Sequence, residues 1–158
     1  MNRESIIKEL KKYFKIQELV GRVTYRVHKN RAWKFFSTEA LHMLLILREN
    51  IDAPITINTW HKGGNFSQRG LRTNVQNIFS QLFKSGKLYL SGHVLGEAFD
   101  LDVKGMSANQ VREWIVYNQR LFPFKIRLEH KKNGKDISWV HIDCIQESKN
   151  SKVHLFNV

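Results

Sequence analysis

Two alternating runs joined by an Asn-Gly pair constrain the fold of this chain more than any other feature of its sequence. The runs are "FKIRLEH" at 124–130 and "ISWVHIDCI" at 137–145, and the segment between them contains Asn133 and Gly134. Alternation of apolar and polar residues predicts half-buried strands, and Asn-Gly readily adopts the left-handed conformation of a tight hairpin turn. With a further strand predicted at 152–156, the last third of the chain is expected to form a largely antiparallel sheet.

Helical periodicity is strongest in the first two thirds of the chain. Residues 4–14 carry apolar side chains at helical spacing, which predicts a short amphipathic helix. A second helix is predicted to begin at Ser37 or Thr38, since either residue is a good N-cap, and to continue through Arg48. A short helix is also predicted over 75–85, with its apolar residues facing inward.

The middle of the chain combines a capped helix with less regular segments. The string "SANQ" predicts a capping box, with Ser107 as N-cap and Gln110 at the third helical position. The string "PITINTW" at 54–60 alternates like a strand, whereas the polar, glycine-rich residues 61–74 predict a loop. Helices that mostly precede hairpin strands indicate an α+β fold, a small and mostly antiparallel sheet with helices packed mainly on one side.

Length and composition are those of one globular domain. The chain has 158 residues, 42% of them hydrophobic and 25% charged, and no repeat or Pro/Gly-rich linker divides it. We therefore expect a single domain over residues 1–158, with residues 1–15 as a candidate peripheral N-terminal helix. One cysteine, Cys144, excludes an internal disulfide, and its alternation with Val140 and Ile142 predicts that it is buried.

The formal net charge of +12 points to a polyanionic partner. Nucleic acid, an anionic membrane and an anionic cell wall all fit that charge, which alone does not choose among them. No apolar run approaches the ~18 residues of a membrane span, and the N-terminal residues lack the apolar region of a secretory signal. The basic residues are scattered and no nucleic-acid-binding motif is present, so nucleic acid is not the expected partner.

A histidine in the predicted strand at 137–145 faces away from the core. Side chains alternate along a strand, so Trp139, His141 and Asp143 share one face while the apolar residues between them share the other. His141 is therefore predicted to point into a cleft or into solvent. A lone histidine on such a face is usually not a metal ligand. A metal site at His141 would therefore require further ligands from another part of the chain.

The stretch "SGHVLGEAFD" at 91–100 supplies such a group. His93 and Asp100 are seven residues apart and would face opposite sides of a continuous strand, but Gly96 allows a bend that brings both to one side. With His141 they provide two imidazoles and one carboxylate, the ligand set of a catalytic zinc site. Zinc suits these donors better than calcium or magnesium, which prefer oxygen. Spacing alone leaves this hypothesis open against unrelated buried polar residues.

Four segments of the chain resemble one family of enzymes. "SGHVLGEAFDLD" and "WVHID" resemble the S-x-H-x-x-G-x-A-x-D and W-x-H signatures of M15-type zinc peptidases, the group of D-alanyl-D-alanine carboxypeptidases and L-alanyl-D-glutamate endopeptidases. "ITINTWHKGGNFSQRGLR" before them and "GMSANQVREWI" between them resemble the branch of this family found in bacteriophages. The resemblance spans roughly residues 16–157. It implies the fold that these peptidases share with the hedgehog signalling domain.

The resemblance also implies roles for individual residues. His93, Asp100 and His141 match the family's ligands and would bind one zinc ion. Arg72 matches an arginine upstream of the histidine motif and would bind a substrate carboxylate or the developing oxyanion, with a solvated loop cation as the alternative. Ser91 opens the signature and would support the site from behind the ligands.

The general base is the point at which this chain departs from the family. Many M15 enzymes carry an acid three residues before the last histidine, and here that position is Ser138, which cannot act as a base. Glu129 is the first candidate to replace it, because the hairpin places it across from His141 and because the phage-type branch carries a glutamate there. Asp143 is the second candidate, either as the acid or as a residue that orients His141, and a site without a dedicated acid is the third. Asp136 is expected to be solvated.

Two aromatic residues near the expected cleft complete the candidate list. His61 precedes "KGG" in the loop and is a candidate substrate-binding or proton-transfer group. Trp139 shares the face of His141 and is either a core anchor or a wall of the zinc site.

The sequence thus predicts a zinc-dependent peptidoglycan peptidase that hydrolyses a peptide bond in the stem peptide or crossbridge. An anionic cell wall as partner fits the basic charge. A bacteriophage endolysin or virion-associated lytic enzyme, made in the host cytoplasm and acting as a monomer, would need no secretory signal. Two alternatives stay open: a zinc-binding domain of the same fold without activity, and a basic nucleic-acid-binding module.

Overall fold

The computed structural model describes residues 1–73, 84–86, 90–145 and 151–158. Over these residues it forms an α+β fold with five α-helices and one five-stranded sheet, in agreement with the predicted fold class. The helix predicted over 75–85 lies outside the described residues except for its last two positions.

The N-terminal half contributes three helices, α1 (Arg3–Leu10), α2 (Arg22–His28) and α3 (Thr38–Asn50). Ser37 caps α3 by accepting a hydrogen bond from the backbone N–H of Ala40, so the predicted start of this helix is confirmed. None of the helices in the described ranges is long and apolar enough to span a bilayer; the longest of them, α3, has 13 residues. Most side chains of α3 are buried, namely Ala40, Leu41, Met43, Leu44, Leu45, Ile46 and Leu47.

Helix α1 is part of the core rather than the peripheral helix that was expected. Ile6 and Leu10 are fully buried, and the helix packs against α3. The Arg3 guanidinium donates hydrogen bonds to the Thr38 hydroxyl and to two backbone carbonyls within 33–36. These bonds tie the first turn of α1 to the start of α3.

Five strands form one sheet in the order β1-β2-β4-β3-β5. They are β1 (Ile55–Thr56), β2 (Ala98–Val103), β3 (Ile126–Lys132), β4 (Lys135–Asp143) and β5 (Val153–Asn157). The pairs β1–β2, β2–β4 and β3–β4 are antiparallel, and β3–β5 is parallel. The sheet is therefore mostly antiparallel, as predicted, with β4 at its centre.

The predicted Asn-Gly hairpin joins β3 to β4. Asn133 and Gly134 have φ angles of 50° and 77°, so both occupy the left-handed region. Two consecutive left-handed residues are the signature of a tight turn whose twist matches that of the flanking strands. The hairpin prediction is confirmed.

Strand β1 is shorter than the strand predicted over 54–60. Only its two residues pair with β2. The backbone N–H of Asn58 donates instead to the carbonyl of Glu18, and the indole N–H of Trp60 donates to the carbonyl of Val20. The strand ends because the residues after it form hydrogen bonds with the segment before α2 rather than with the sheet.

The core lies between the helices and one face of the sheet. Buried residues of α1, α3 and α5 (Ala108–Tyr117) join the apolar face of the sheet in one cluster. Helix α5 begins with the predicted capping box, in which Ser107 and Gln110 exchange hydrogen bonds between side chain and backbone. Cys144 is buried, as predicted, and burial raises the pKa of its thiol to about 12. The sheet contributes Phe99, Leu101, Val103, Ile126, Leu128, Val140 and Ile142 to this core.

Gly96 ends the one-turn helix α4 (Gly92–Leu95) in the left-handed conformation, with a φ of 71°. The predicted bend is present, but His93 lies on a helical turn rather than on a strand. A Cβ atom at Gly96 would lie 2.0 Å from the carbonyl oxygen of Phe35. Both the backbone conformation and the close approach therefore require glycine here.

Replacing Gly96 with alanine is expected to destabilise the protein strongly. Gly105 is a matched control, because its φ is also positive (+81°) but no atom lies within 4 Å of its Cβ position. Gly105→Ala should lower the free energy of unfolding by about 1 kcal/mol through backbone strain alone. Gly96→Ala should lower it by about 3 kcal/mol or more, because the clash with the backbone adds to that strain. Urea denaturation measures the free energy of unfolding of both variants. Equal losses of stability in the two variants would contradict the steric role of Gly96.

Candidate metal centre

Three side chains from separate elements converge on the face of the sheet opposite the core. His93 lies on α4, Asp100 on β2 and His141 on β4, and the last two are direct partners in the β2–β4 ladder. Asp100 Oδ1 lies 2.8 Å from His141 Nδ1 and 3.3 Å from His93 Nε2. The two ring nitrogens, His93 Nε2 and His141 Nδ1, are 3.2 Å apart. His93 and Asp100 are buried, and the side chain of His141 is 13% exposed.

A hydrogen bond to the backbone determines which nitrogen of His93 can bind a metal. His93 Nδ1 lies 2.8 Å from the carbonyl oxygen of Gly70. A carbonyl only accepts, so Nδ1 must carry the hydrogen, and the lone pair of Nε2 faces Asp100 and His141. Burial lowers the pKa of His93, which favours the neutral ring that metal binding requires.

Asp143 orients His141 from the other side of its ring. Asp143 Oδ2 lies 3.1 Å from His141 Nε2, and Arg127 donates two hydrogen bonds to the same carboxylate at 2.8 and 3.0 Å. Burial alone would raise the pKa of Asp143, but the hydrogen bonds from His141 and Arg127 outweigh it and lower that pKa. The ionised carboxylate therefore directs His141 Nδ1 toward Asp100 and His93.

In the absence of a metal, His141 carries hydrogens on both ring nitrogens. Each nitrogen faces a carboxylate oxygen, which can only accept. Burial alone would lower the pKa of His141, but the hydrogen bonds to Asp100 and Asp143 raise it to about 9. Burial would likewise raise the pKa of Asp100, but the hydrogen bond from His141 holds it well below its usual range. The Nδ1 hydrogen thus lies among the three candidate ligand atoms, where a cation can replace it.

The three atoms fit the coordination sphere of one small cation. Tetrahedral ligands about 2.1 Å from a metal are about 3.4 Å apart, and the separations here run from 2.8 to 3.3 Å. Within the described part of the chain, His93, Asp100 and His141 are the one group of His, Cys, Asp or Glu that could hold a metal ion. The ligand group predicted from spacing is therefore assembled in the structure.

The loop after β1 packs against the candidate metal centre. Arg72 donates to Asp100 Oδ2 at 3.1 Å, so the carboxylate faces the arginine with one oxygen and the histidines with the other. The backbone N–H of Asp100 donates to the carbonyl of Arg69, and that of Arg72 donates to the carbonyl of His93. Arg69 also forms an ion pair with Asp102. The structure thus brings Arg72 to the site as a partner of Asp100.

One row of residues crosses the sheet at the site. Asp100, His141, Glu129 and Phe156 are successive partners on β2, β4, β3 and β5. Directly opposed residues of a ladder point to the same face, so Glu129 shares the face of the ligands and lies next to His141. Its side chain is half-buried, and its carboxylate forms no hydrogen bond or ion pair with the residues that the structure describes.

Ser91 and Trp139 were predicted to support or wall the site. Ser91 is the N-cap residue of α4, and its buried hydroxyl has no hydrogen-bond partner among the described residues. Trp139 is half-buried on β4, and its carbonyl accepts a hydrogen bond from Arg112. In the described ranges, neither side chain has a hydrogen bond or ring contact with His93, Asp100 or His141.

His61 lies apart from the candidate metal centre. Its ring packs edge-on against Trp60, with centroids 5.9 Å apart, and neither ring nitrogen has a partner among the described residues. Burial lowers the pKa of His61, and the charged group with the largest effect on it is Glu18 rather than Asp100. The geometry therefore does not place His61 with the ligands.

Two contacts of the site were missed by sequence reasoning. The Phe156 ring lies edge-on to the His141 ring with centroids 6.1 Å apart, and the Arg127 guanidinium lies 4.8 Å from the centre of the Phe156 ring. A strand at 152–156 was predicted, but its alternation does not reveal which strand it joins. Parallel pairing of β5 with β3 is what brings Phe156 beside Glu129.

No protein-family model, curated protein or solved structure matches this chain.

Each of the three ligands is expected to be necessary for metal binding. His93→Ala, Asp100→Ala and His141→Ala should each weaken Zn²⁺ binding on the order of 100-fold or more, because a three-ligand site loses one donor. His130→Ala is the control, since the side chain of His130 is 36% exposed and lies outside the group. Competition with a chelating dye measures the affinities. Tight binding that survives in any of the three variants would contradict the site.

Metal affinity is expected to fall as the pH falls below about 9. The metal must displace a proton from His141, whose pKa is raised to about 9, so protons compete at every pH below that value. The apparent affinity should change about tenfold per pH unit between about pH 6 and 8, with about one proton released per ion. Calorimetry in buffers of different ionisation enthalpy measures both quantities. An affinity independent of pH in this window would contradict the protonation of His141.

Proposed function

We propose that this protein is a zinc-dependent peptidoglycan peptidase that hydrolyses a peptide bond in the bacterial stem peptide or crossbridge. The observation that carries the proposal is the row of Asp100, His141 and Glu129 across three strands, completed by His93. It combines three convergent ligand atoms with a carboxylate on the same face of the sheet. Metal-assisted hydrolysis of an amide requires this combination. The motif resemblance to M15-type peptidases supports the same reaction.

The donor set favours zinc as the metal. Two imidazole nitrogens suit a borderline cation, whereas calcium and magnesium prefer oxygen ligands. His93 would bind through Nε2, His141 through Nδ1 and Asp100 through Oδ1, as their hydrogen bonds dictate. When bound, zinc would supply Lewis acidity that polarises the scissile carbonyl and lowers the pKa of water at the site.

Glu129 would act as the general base. Its carboxylate would take a proton from the attacking water and pass it to the nitrogen of the departing amine. Ser138, at the position of the acid in many M15 enzymes, is exposed and cannot take this role. Asp143 is held by His141 and Arg127, and Asp136 is exposed at the hairpin end. Glu129 is therefore the acid best placed for proton transfer.

A cavity beside Asp100 is a suitable place for the substrate. It has a volume of about 180 Å³ and is lined by Arg72, Asp100 and loop residues 65–69. Arg69 and Arg72 make this wall cationic, and the Arg69 guanidinium lies 3.8 Å from the centre of the Phe66 ring. Stem peptides carry carboxylates, which such a wall attracts. We assign Arg72 to substrate recognition there, in addition to its bond with Asp100.

The surface charge is consistent with an anionic cell wall as the partner. The net charge of +12 would help to retain the protein on such a polymer. The proposal extends to a bacteriophage endolysin or virion-associated lytic enzyme that acts as a monomer on the wall.

A zinc-binding domain without activity is the second candidate, favoured by Ser138 at the usual acid position. Digestion of purified peptidoglycan, with and without a chelator, distinguishes the two. A peptidase should release fragments with new amino termini, which mass spectrometry identifies, and the chelator should abolish them. Zinc-loaded protein that releases no fragment from any peptidoglycan preparation would leave the binding domain as the function.

Glu129→Gln is expected to abolish hydrolysis while leaving metal binding intact. The amide cannot accept a proton, so kcat should fall about 100-fold or more, whereas zinc affinity should stay within about threefold because Glu129 is not a ligand. Glu113→Gln, the same substitution at an exposed position of α5, should leave both unchanged. Fragment release measured by mass spectrometry gives the rates. Full activity of Glu129→Gln would contradict its assignment as the base.

A further inference from the structure

Strand β4 contains a bulge beside the candidate metal centre. Near the hairpin turn Lys131 pairs with Asp136, whereas two residues earlier on β3 Glu129 pairs with His141. Residues 137–140 of β4 therefore lie opposite a single residue of β3, which gives β4 three extra residues. Such an insertion interrupts the ladder and changes which residues face each other.

The bulge decides which residue faces Glu129. If the register of the hairpin continued without interruption, Glu129 would lie opposite Ser138. The three extra residues place it opposite His141 instead, in the row of the ligands. The proposed proton transfer therefore depends on the bulge keeping its place and length.

A buried arginine from α5 bridges this bulge. Arg112 is 3% exposed, and its Nε donates to the carbonyl of Glu129 at 2.9 Å. Its Nη2 donates to the carbonyls of Ile137 and Trp139 at 2.9 and 2.7 Å. One guanidinium thus joins backbone groups of both strands at the interruption. The planar arrangement of its N–H groups makes this possible.

Arg112 is itself held in one orientation. Its Nη1 donates to the side-chain oxygen of Asn109, one turn earlier on α5, at 2.7 Å. These four hydrogen bonds all end on neutral oxygens, although a buried arginine is usually paired with a carboxylate. Its placement is therefore explained by the backbone carbonyls at the bulge.

We propose that Arg112 is a positioning residue for the proton-transfer step: by bridging the three carbonyls it holds the β4 bulge in the register that places Glu129 opposite His141. This inference rests on the proposed function, because it takes Glu129 as the general base. Arg112 contacts neither the ligand atoms nor the substrate cavity. A lysine at this position keeps the charge but lacks the fork that reaches both strands.

A double-mutant cycle with Arg112→Lys and Glu129→Gln tests the proposal. In the presence of Glu129, Arg112→Lys should lower kcat about tenfold or more, with KM and zinc affinity within about threefold. In the Glu129→Gln background the same change should lower kcat less than about twofold, because the group that it positions has already lost its function. Arg120→Lys, the same substitution at an exposed position, should have no effect in either background.

Amide hydrogen exchange of the metal-free protein provides a readout independent of activity. Arg112→Lys should raise exchange about tenfold or more at residues 137–140 and leave exchange at residues 99–101 unchanged. Unchanged exchange at the bulge would overturn the proposal. If Arg112→Lys does not fold, Asn109→Ala carries both tests, and smaller effects of the same sign are expected. Asn109 also donates to Asp136 Oδ2 at 2.9 Å, so Asp136→Ala is the control: it removes that bond, keeps the anchor of the guanidinium and should have no effect in either test.

The outcomes separate this inference from the proposed function. Wild-type protein that hydrolyses no peptidoglycan would overturn both. Active wild-type protein with an unimpaired Glu129→Gln variant would overturn the base assignment and the role of Arg112 with it. If Glu129→Gln is impaired and Arg112→Lys lowers kcat by the same factor in both backgrounds, the role of Arg112 alone is overturned.

Discussion

The pairing of Asp100 with His141 across β2 and β4 is the interaction on which the rest of the site depends. Partners in an antiparallel ladder point to the same face, and this pair brings a carboxylate oxygen within 2.8 Å of a ring nitrogen. Because β4 is the central strand, it is held by β2 on one side and β3 on the other. His93 can join the pair because Gly96 turns the chain between α4 and β2 in a place with no room for a side chain.

The charged residues around Asp100 and His141 compensate one another's buried charge. Asp100 and Asp143 both face His141, and each also accepts hydrogen bonds from an arginine, Arg72 or Arg127. The five side chains form a row of alternating charge when His141 is protonated. Leaving a carboxylate buried without a partner costs about 3–5 kcal/mol. The hydrogen bond from His141 to each acid, together with that from Arg127 to Asp143, keeps both acids ionised although they are buried. Replacing one proton by a divalent cation adds a single positive charge to a group already built around carboxylates.

The bulge in β4 shows how a carboxylate can lie beside His141 although Ser138 stands where many M15 enzymes carry an acid. In a linear comparison of motifs, Ser138 is a missing acid. In the sheet, three extra residues move Ser138 away from Glu129 and bring Glu129 opposite His141, so a carboxylate from β3 lies in the row of the ligands although β4 has a serine at position 138. Arg112 stabilises this arrangement from the core side through backbone carbonyls. Helix α5 thereby contributes to a site that none of its own side chains enters.

The sequence by itself determined the features that depend on neighbouring residues. The Asn-Gly turn, the capping box of Ser107 and Gln110 and the alternation that puts His141 on the polar face all follow from local conformational preference. The glycine between His93 and Asp100 also indicated a bend that could bring them together, while spacing alone left the metal hypothesis open. Only the tertiary structure decided that α1 belongs to the core, that β5 pairs in parallel and brings in Phe156, and that His61 lies elsewhere. The tertiary structure also decided the position and length of the bulge in β4. Strand partners and register depend on hydrogen bonds and packing between segments far apart in sequence. The alternation of residues within one segment carries no information about them.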